Sequence, residues 1–231
     1  MTALRLHSAK SAFGVPCASP FATKAESLLR LSGVPYTRED VSPVTGPRKK
    51  IPYLTLLDGR VVSDSRNIEE YLRRAGQLEL APCALDTLVR RLVEEHLYFA
   101  QVYYRWTHHP DRVRDELFAE VPPGLRHIVF AMVRRQVRRD LWGQGIGRRP
   151  EAEILALVEE DLSALECALD DRPFFGGDAL SSADCAAHGL LDQLLACDLS
   201  DDLTRAVRQR ERLVAYHRRV NDVVRGEAAR R

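Results

Sequence analysis

Apolar positions change their spacing once along the chain. Up to about residue 80, short apolar runs alternate with helical segments; beyond it the spacing is helical throughout. Ala3 to His7 alternates apolar and polar and predicts a short strand, followed by a loop from Ser8 to Ala18. Ser19-Pro20 opens a helix. The serine is suited to the N-cap, and the proline to the first helical position, where a missing N–H costs nothing. Phe21, Ala25, Leu28 and Leu29 form its apolar face, and Gly33 ends it. Tyr36 to Val41 reads as a second strand, and Ser42 to Lys50 as a loop. Leu54 to Leu57 and Arg60 to Val62 pair as a hairpin over Asp58-Gly59, a dipeptide suited to a type I′ turn. Pro52 precedes the first of these strands, a place for a sheet edge or a turn. On its residues alone the Ile51–Pro52 bond is expected in the commoner trans form. Ser63-Asp64-Ser65 offers caps to a helix from Arg66 to Arg74, so the order is β-α-β-loop-β-β-α.

Gly76 to Pro82 reads as a linker. Leu85, Leu88, Val89, Leu92, Val93, His96, Leu97, Ala100, Tyr103 and Tyr104 then follow one long helix. Prolines at 110, 122 and 123 interrupt the chain. Leu125 to Trp142 is a second long helix, with Ile128, Val129, Met132, Val133, Val137 and Leu141 on one side. Glu151 to Leu169 is a third. Ser181 and Asp184 have the spacing of a capping box for a buried helix from Ala183 to Ala196. Leu203 to Val224 reads as one last basic helix, with Gly226 to Arg231 fraying.

Composition narrows the partners more than the fold. The 231 residues are 45% apolar and 29% charged, enough for one large or two small globular domains. A net charge of +1 gives no reason to expect nucleic acid. The longest apolar run, Ile128 to Val133, is too short for an integral membrane segment, and the start of the chain carries no signal-peptide pattern. Five cysteines (Cys17, Cys83, Cys167, Cys185, Cys197) lie far apart with no CxxC, which argues for a cytoplasmic location without disulfides or metal. His108-His109 lacks a third ligand nearby in sequence. Arg134, Arg135, Arg138 and Arg139 share one helical stripe, either a solvated face or a seat for an anion.

Three local patterns, in order and at fitting spacing, make the chain resemble a glutathione S-transferase over nearly its whole length. They are Ile51-Pro52-Tyr53, similar to the cis-proline segment; Asp64-Ser65, similar to the pair at the start of the next helix; and Leu180 to Asp184, similar to the cap of the helical domain's core helix. Ser19-Pro20-Phe21, Lys50 to Tyr53, Glu95 to Tyr98, Arg105-Trp106 and Arg134 to Gly145 further resemble bacterial relatives of the failed-axon-connections and metaxin branch. The resemblance implies a thioredoxin-like, glutathione-binding α/β domain over residues 1–78 and an all-helical domain over 79–231. It implies a homodimer that takes glutathione as co-substrate.

Glutathione presents a peptide backbone, an anionic γ-glutamyl end and a thiol. By the resemblance, Lys50, Ile51 and Pro52 would receive the backbone as an added strand. Asp64 and Ser65, at a helix N-terminus, would take the γ-glutamyl end. Ser19, at another helix N-terminus, would stabilise the thiolate. Phe21, Tyr98, Arg105 and Trp106 would border the second substrate, a small hydrophobic or anionic electrophile. Each also has a plain structural reading: Ser19, Asp64 and Ser65 as caps, and Arg105 and Trp106 as the polar edge of a core helix. Two functions stay open: a glutathione-conjugating enzyme, and a non-catalytic binding or scaffold protein of metaxin type. Reductase chemistry would want cysteine where Ser19 stands, and the chain has Ala22 where relatives can carry one.

Overall fold

The structure, a computed structural model, describes residues 3–226. Its first half is a four-stranded mixed sheet in the order β2-β1-β3-β4. β1 (Leu4–Ser8) lies parallel to β2 (Tyr36–Asp40), joined through α1 (Pro20–Ser32), since parallel neighbours need a crossover. β3 (Tyr53–Thr55) runs antiparallel to β1, and β4 (Val61–Ser63) antiparallel to β3. α2 (Ser65–Arg74) follows. The period of two puts Leu4 and Leu6 of β1 and Leu54 of β3 on one face, where they meet Ala25, Leu28 and Leu29 of α1 and Ile68 and Leu72 of α2. Ser19 caps α1 by accepting from the Ala22 amide at 3.3 Å, and Gly33 closes it in the left-handed region at φ +67°.

The hairpin differs from the expected two-residue turn. Leu56 donates to Arg60 and Gly59 donates back to Leu56, so the loop is Leu57-Asp58-Gly59. Gly59, at φ +85°, takes the left-handed position, and Asp58 does not. The Asp58 carboxylate accepts from the Arg60 amide and pairs with its guanidinium, which favours a three-residue loop ending in a left-handed glycine.

The second half is helical. α3 (Asp86–Arg91) passes through a π-helical stretch, Leu92–Leu97, into α4 (Tyr98–His108), so the predicted rod carries a bulge at its centre. α5 (Pro110–Leu117), α6 (Pro123–Gln144), α7 (Glu151–Leu169), α8 (Ser182–Leu195), α9 (Asp202–Arg208) and α10 (Glu211–Gly226) complete it. The expected single last helix is two. Asp201 and Thr204 cap α9, and the chain bends at Gln209-Arg210, where Arg210 reaches Glu159 and Glu166 of α7. On α6 the buried side chains are Phe130 and Leu141, while Ile128 and Met132 are 59% and 68% exposed, so the inward line is not the expected one. Stacking of Trp106 on Phe130 sets that rotation. Gly226, expected to fray with the residues after it, is the last residue of α10, and residues 227–231 lie outside the described residues.

α8 is the core helix, buried from Ser182 to Leu194. Its capping box forms as expected and then extends. The Asp184 carboxylate accepts from the amides of Phe175, Gly176 and Ser181, from the Ser181 hydroxyl, and from the Tyr216 hydroxyl at 2.8 Å. Burial beside this carboxylate pushes the Tyr216 phenol well above its ordinary value. Asp184→Ala leaves several buried donors without an acceptor and is expected to cost about 3–5 kcal/mol. Tyr216→Phe removes one bond and should cost about 1–2 kcal/mol. Urea unfolding of both variants checks the order.

Candidate functional site

Strand register brings the predicted binding residues to one end of the sheet. His7, next to the end of β1, pairs with Tyr53 at the start of β3, and Tyr53 pairs with Ser63 at the end of β4. The segment before β3, the start of α2 and the loop leading into α1 therefore share that end. The Ile51–Pro52 bond is cis, which corrects the expectation from its residues alone and agrees with that from the resemblance. The Pro52 carbonyl accepts from the Asp64 amide at 3.0 Å and ties this segment to the start of α2. Asp64 sits at φ +81°, a conformation that costs a non-glycine residue about 1–3 kcal/mol. In that position Asp64 Oδ1 caps the Arg66 amide at 2.9 Å. Ser65 is buried as the first residue of α2, Ile51 is half-buried, and Lys50 and Asp64 are exposed.

The loop before α1 is held from the helical half. Arg105 of α4 donates to the Ala18 carbonyl at 3.0 Å and to Gln193 Oε1 at 3.2 Å. Gln193 of α8 donates to the Cys17 carbonyl at 2.7 Å, and the Arg105 guanidinium lies over the Phe13 ring. Burial pulls Arg105 down to about 10, which still leaves it charged at neutral pH. Arg105 thus positions the residues that precede Ser19. Trp106 packs among Phe118 and Phe130. The Cys17 thiol is buried against the Ser8 hydroxyl at 3.4 Å.

Ser19 stands at the free end of α1. Its hydroxyl uses a lone pair for the cap, so its O–H remains available to donate. Beside it, Phe21 meets Tyr98 edge-to-face at 4.8 Å between ring centres. These two line a narrow cleft between the halves with Lys24, Val93, Glu94 and Leu190. Lys24, only 1% exposed, pairs with Glu94 at 2.6 Å. Glu94 lies in the π-helical stretch, whose altered winding is a common mark of functional helices. This pair escaped the sequence reading. Its signal was a lysine three residues after Phe21 and four before Leu28, on the apolar stripe of α1.

The remaining polar candidates separate. His108 pairs with Glu151 at 3.1 Å and His109 with Asp201 at 2.9 Å, so the two histidines do not converge. His96 turns to Asp161 of α7, whose hydrogen bond raises its pKa above the ordinary 6.5. In the arginine stripe, Arg134 lies over Phe130 and Arg135, Arg138 and Arg139 are exposed; among the described residues none of the four is ion-paired.

Residues 20–112 match the family model for the glutathione S-transferase N-terminal domain, and residues 158–220 that for the glutathione S-transferase C-terminal domain. The isoprene-epoxide–glutathione S-transferase of Rhodococcus sp. (strain AD45) is 32% identical over 198 residues, 78% of this chain and 82% of that protein. The chain belongs to the glutathione S-transferase family. Failed axon connections of Drosophila melanogaster is 28% identical over 78% of the chain and 47% of its own length, and human metaxin-2 is 24% identical over 75% and 69%. Among solved structures, the β-etherase LigF of Sphingobium sp. strain SYK-6 matches over the full length of both chains, with a TM-score of 0.64 at 18% identity. Glutathione transferase GSTFuA2 of Phanerochaete chrysosporium matches over 97% of this chain and 99% of its own, with a TM-score of 0.66 at 15% identity. Both likenesses concern the fold. It is the glutathione S-transferase fold, a thioredoxin-like domain followed by a helical one.

Two outcomes are expected from the buried pairs. Glu94→Gln leaves Lys24 buried without its counter-charge and should destabilise by about 3–5 kcal/mol, while Lys24→Met with Glu94→Leu should recover most of the loss in denaturant melts. A histidine whose folded pKa is raised stabilises fully below its unfolded value, and the benefit fades as pH rises through the folded one. His96→Gln should therefore lower stability near pH 5 and have little effect near about pH 9, measured by thermal melts at both.

Proposed function

We propose that this glutathione S-transferase family member is an enzyme that conjugates glutathione to a small electrophile. Three points at one end of the sheet support that reading. The edge at Lys50, Ile51 and Pro52 suits the tripeptide backbone as an added strand. The start of α2 at Asp64 and Ser65 suits the γ-glutamyl group: free amides and the positive helix end face the carboxylate, and the Asp64 carboxylate faces the ammonium. The Ser19 hydroxyl at the start of α1 suits the thiol, where a donor and a helix dipole both favour the anion.

The single observation that carries the reading is the state of Ser19. It is capped, oriented and still able to donate, at the helix end where a thiolate would sit. The thiolate sulfur attacks the electrophilic carbon, a carbon–heteroatom bond breaks, and the leaving atom takes a proton from water. Phe21 and Tyr98 supply the apolar wall for the electrophile. Kinship with an enzyme named for isoprene epoxide makes a small epoxide the first substrate to try. In the same reading the protein works in the cytoplasm as a homodimer. The likeness to Failed axon connections and metaxin-2 supports a second reading, a protein that keeps the fold for binding without turnover.

Calorimetry with glutathione comes first; no heat and no thermal shift at millimolar ligand would sink both the conjugation chemistry and the assigned pocket. Given binding, Ser19→Ala is expected to lower kcat/KM by about 100-fold, the usual loss for one donor to a developing anion, with a much smaller change in glutathione affinity. The same variant should lose about 1 kcal/mol of stability from the cap. Ser19→Thr should retain most of the rate. An unchanged rate in the alanine variant would leave Ser19 a cap alone and favour the second reading.

A further inference from the structure

On the flank of α1 away from the Phe21–Tyr98 cleft, α8 and α10 bring together two imidazoles and a carboxylate that the proposed conjugation does not use. His188 and Asp192 stand one helical turn apart on α8, so they share a face. His217 reaches them from α10. All three are buried, at 2%, 2% and 7% exposure, and one ligand atom from each lies within 4.8 Å of the others. His217 Nε2 and Asp192 Oδ1 are 3.3 Å apart. Around a tetrahedral ion with bonds of about 2.0–2.1 Å, neighbouring ligand atoms lie roughly 3.3 Å apart, so this pair already has the spacing. A swing of up to roughly 1.5 Å by His188 closes the set.

The surroundings fix which atom of His188 would serve. The Ser27 hydroxyl donates to the Thr23 carbonyl at 3.0 Å, so it accepts from His188 Nδ1–H at 3.1 Å. Nε2 then carries the lone pair, and it faces Asn221 Oδ1 at 3.4 Å. That lone pair can accept from the Asn221 amide once the amide turns its NH2 inward, or it can bind a cation. A hydrogen bond from Nδ1–H to a neighbouring oxygen is also the usual outer support of a ligating imidazole. The site is reachable. A polar cleft lined by Cys17, Glu26, Ser27, Arg30 and Arg225 opens onto His188 and Asp192. Arg225, 3.5 Å from Asp192, is half-exposed and free to turn into solvent when a metal arrives.

We propose that His188, Asp192 and His217 bind one divalent transition metal of the zinc class, with the Asn221 amide oxygen or a water as fourth ligand. Two imidazoles and a carboxylate suit zinc, cobalt or nickel better than magnesium or calcium. The ion would clamp α10 to the core helix, with α1 attached through Ser27. No sequence spacing announced it, because His217 is 25 residues from Asp192 and only the fold joins them.

The test uses the full chain after chelator treatment, titrated with zinc chloride by calorimetry and with cobalt chloride by visible absorption. One ion per chain, a raised melting temperature and an intense tetrahedral cobalt band are expected. His188→Phe and His217→Phe should abolish all three, while His127→Ala, at an exposed histidine outside the set, should change none. Asp192→Asn keeps the volume if the phenylalanine variants fail to fold, and it too should lose the cobalt band. No saturable binding, or equal binding in His217→Phe or Asp192→Asn, overturns the site and leaves a metal-free polar clasp. None of these readouts depends on glutathione.

Discussion

The contact between α1 and α8 is the constraint on which the candidate site depends. The helices touch so closely at Gly189 that a methyl group there would lie 2.4 Å from the Pro20 carbonyl oxygen. Only glycine permits that approach. Pro20 is the first residue of α1 and Ser19 its cap, so the core helix of the second domain fixes the height of the candidate catalytic hydroxyl. Arg105 and Gln193 fix its approach by holding the two carbonyls just upstream. Ser182 of α8 adds a bond to Glu69 in the middle of α2 at 2.7 Å, which ties the helix of the second candidate anchor to α8 as well. The sheet sets which end of the domain is used; the helical half sets where its functional groups stand.

This division explains the unusual polarity of α8. A wholly buried helix is ordinarily apolar, yet this one carries Asp184, His188, Asp192 and Gln193 inward. Between them they reach α1, α10 and two loops: Asp184 bonds the turn before α8 and α10, His188 bonds α1, Asp192 bonds α10, and Gln193 bonds the loop before α1. Apolar packing alone lets helices slide and rotate at small cost. Directional bonds from four positions select one arrangement. Lys24 and Glu94 act similarly between α1 and the π-helical stretch, and the interdomain cleft forms around that pair. Buried charge of this kind is weak evidence for stability and better evidence that a particular geometry matters.

Much of the fold was legible because its signals are local. Ser19-Pro20, Gly33, Asp64 and the Ser181–Asp184 box are caps whose chemistry acts within four residues, and each marks the helix end it was expected to mark. Legibility failed where neighbours far along the chain decide. The face of α6 follows Trp106 stacking on Phe130, which periodicity cannot see when apolar residues occur on both sides. The bend at Gln209-Arg210 follows acidic residues on α7. In the site, Pro52, Asp64 and Ser19 could be marked from sequence because they sit at turns and caps. Arg105 could not be separated from a ligand contact, since its partners Ala18 and Gln193 lie 87 and 88 residues away. The partner of Lys24, and the meeting of the histidines of α8 and α10, were invisible for the same reason.

Capping and catalysis at Ser19 are compatible. A hydroxyl has one proton and two lone pairs. The Ala22 amide occupies a lone pair and so orients the oxygen without consuming its proton. The positive end of α1 acts in the same direction as that proton, because both favour negative charge on an atom placed before the helix. Cys17, the nearby thiol, cannot compete: it is buried against Ser8, behind the loop that Gln193 and Arg105 fix. A serine held by its own cap therefore costs the fold nothing extra and keeps its proton free to donate. The same local geometry would serve a protein that only binds glutathione, which is why rate and affinity must be measured separately in one variant.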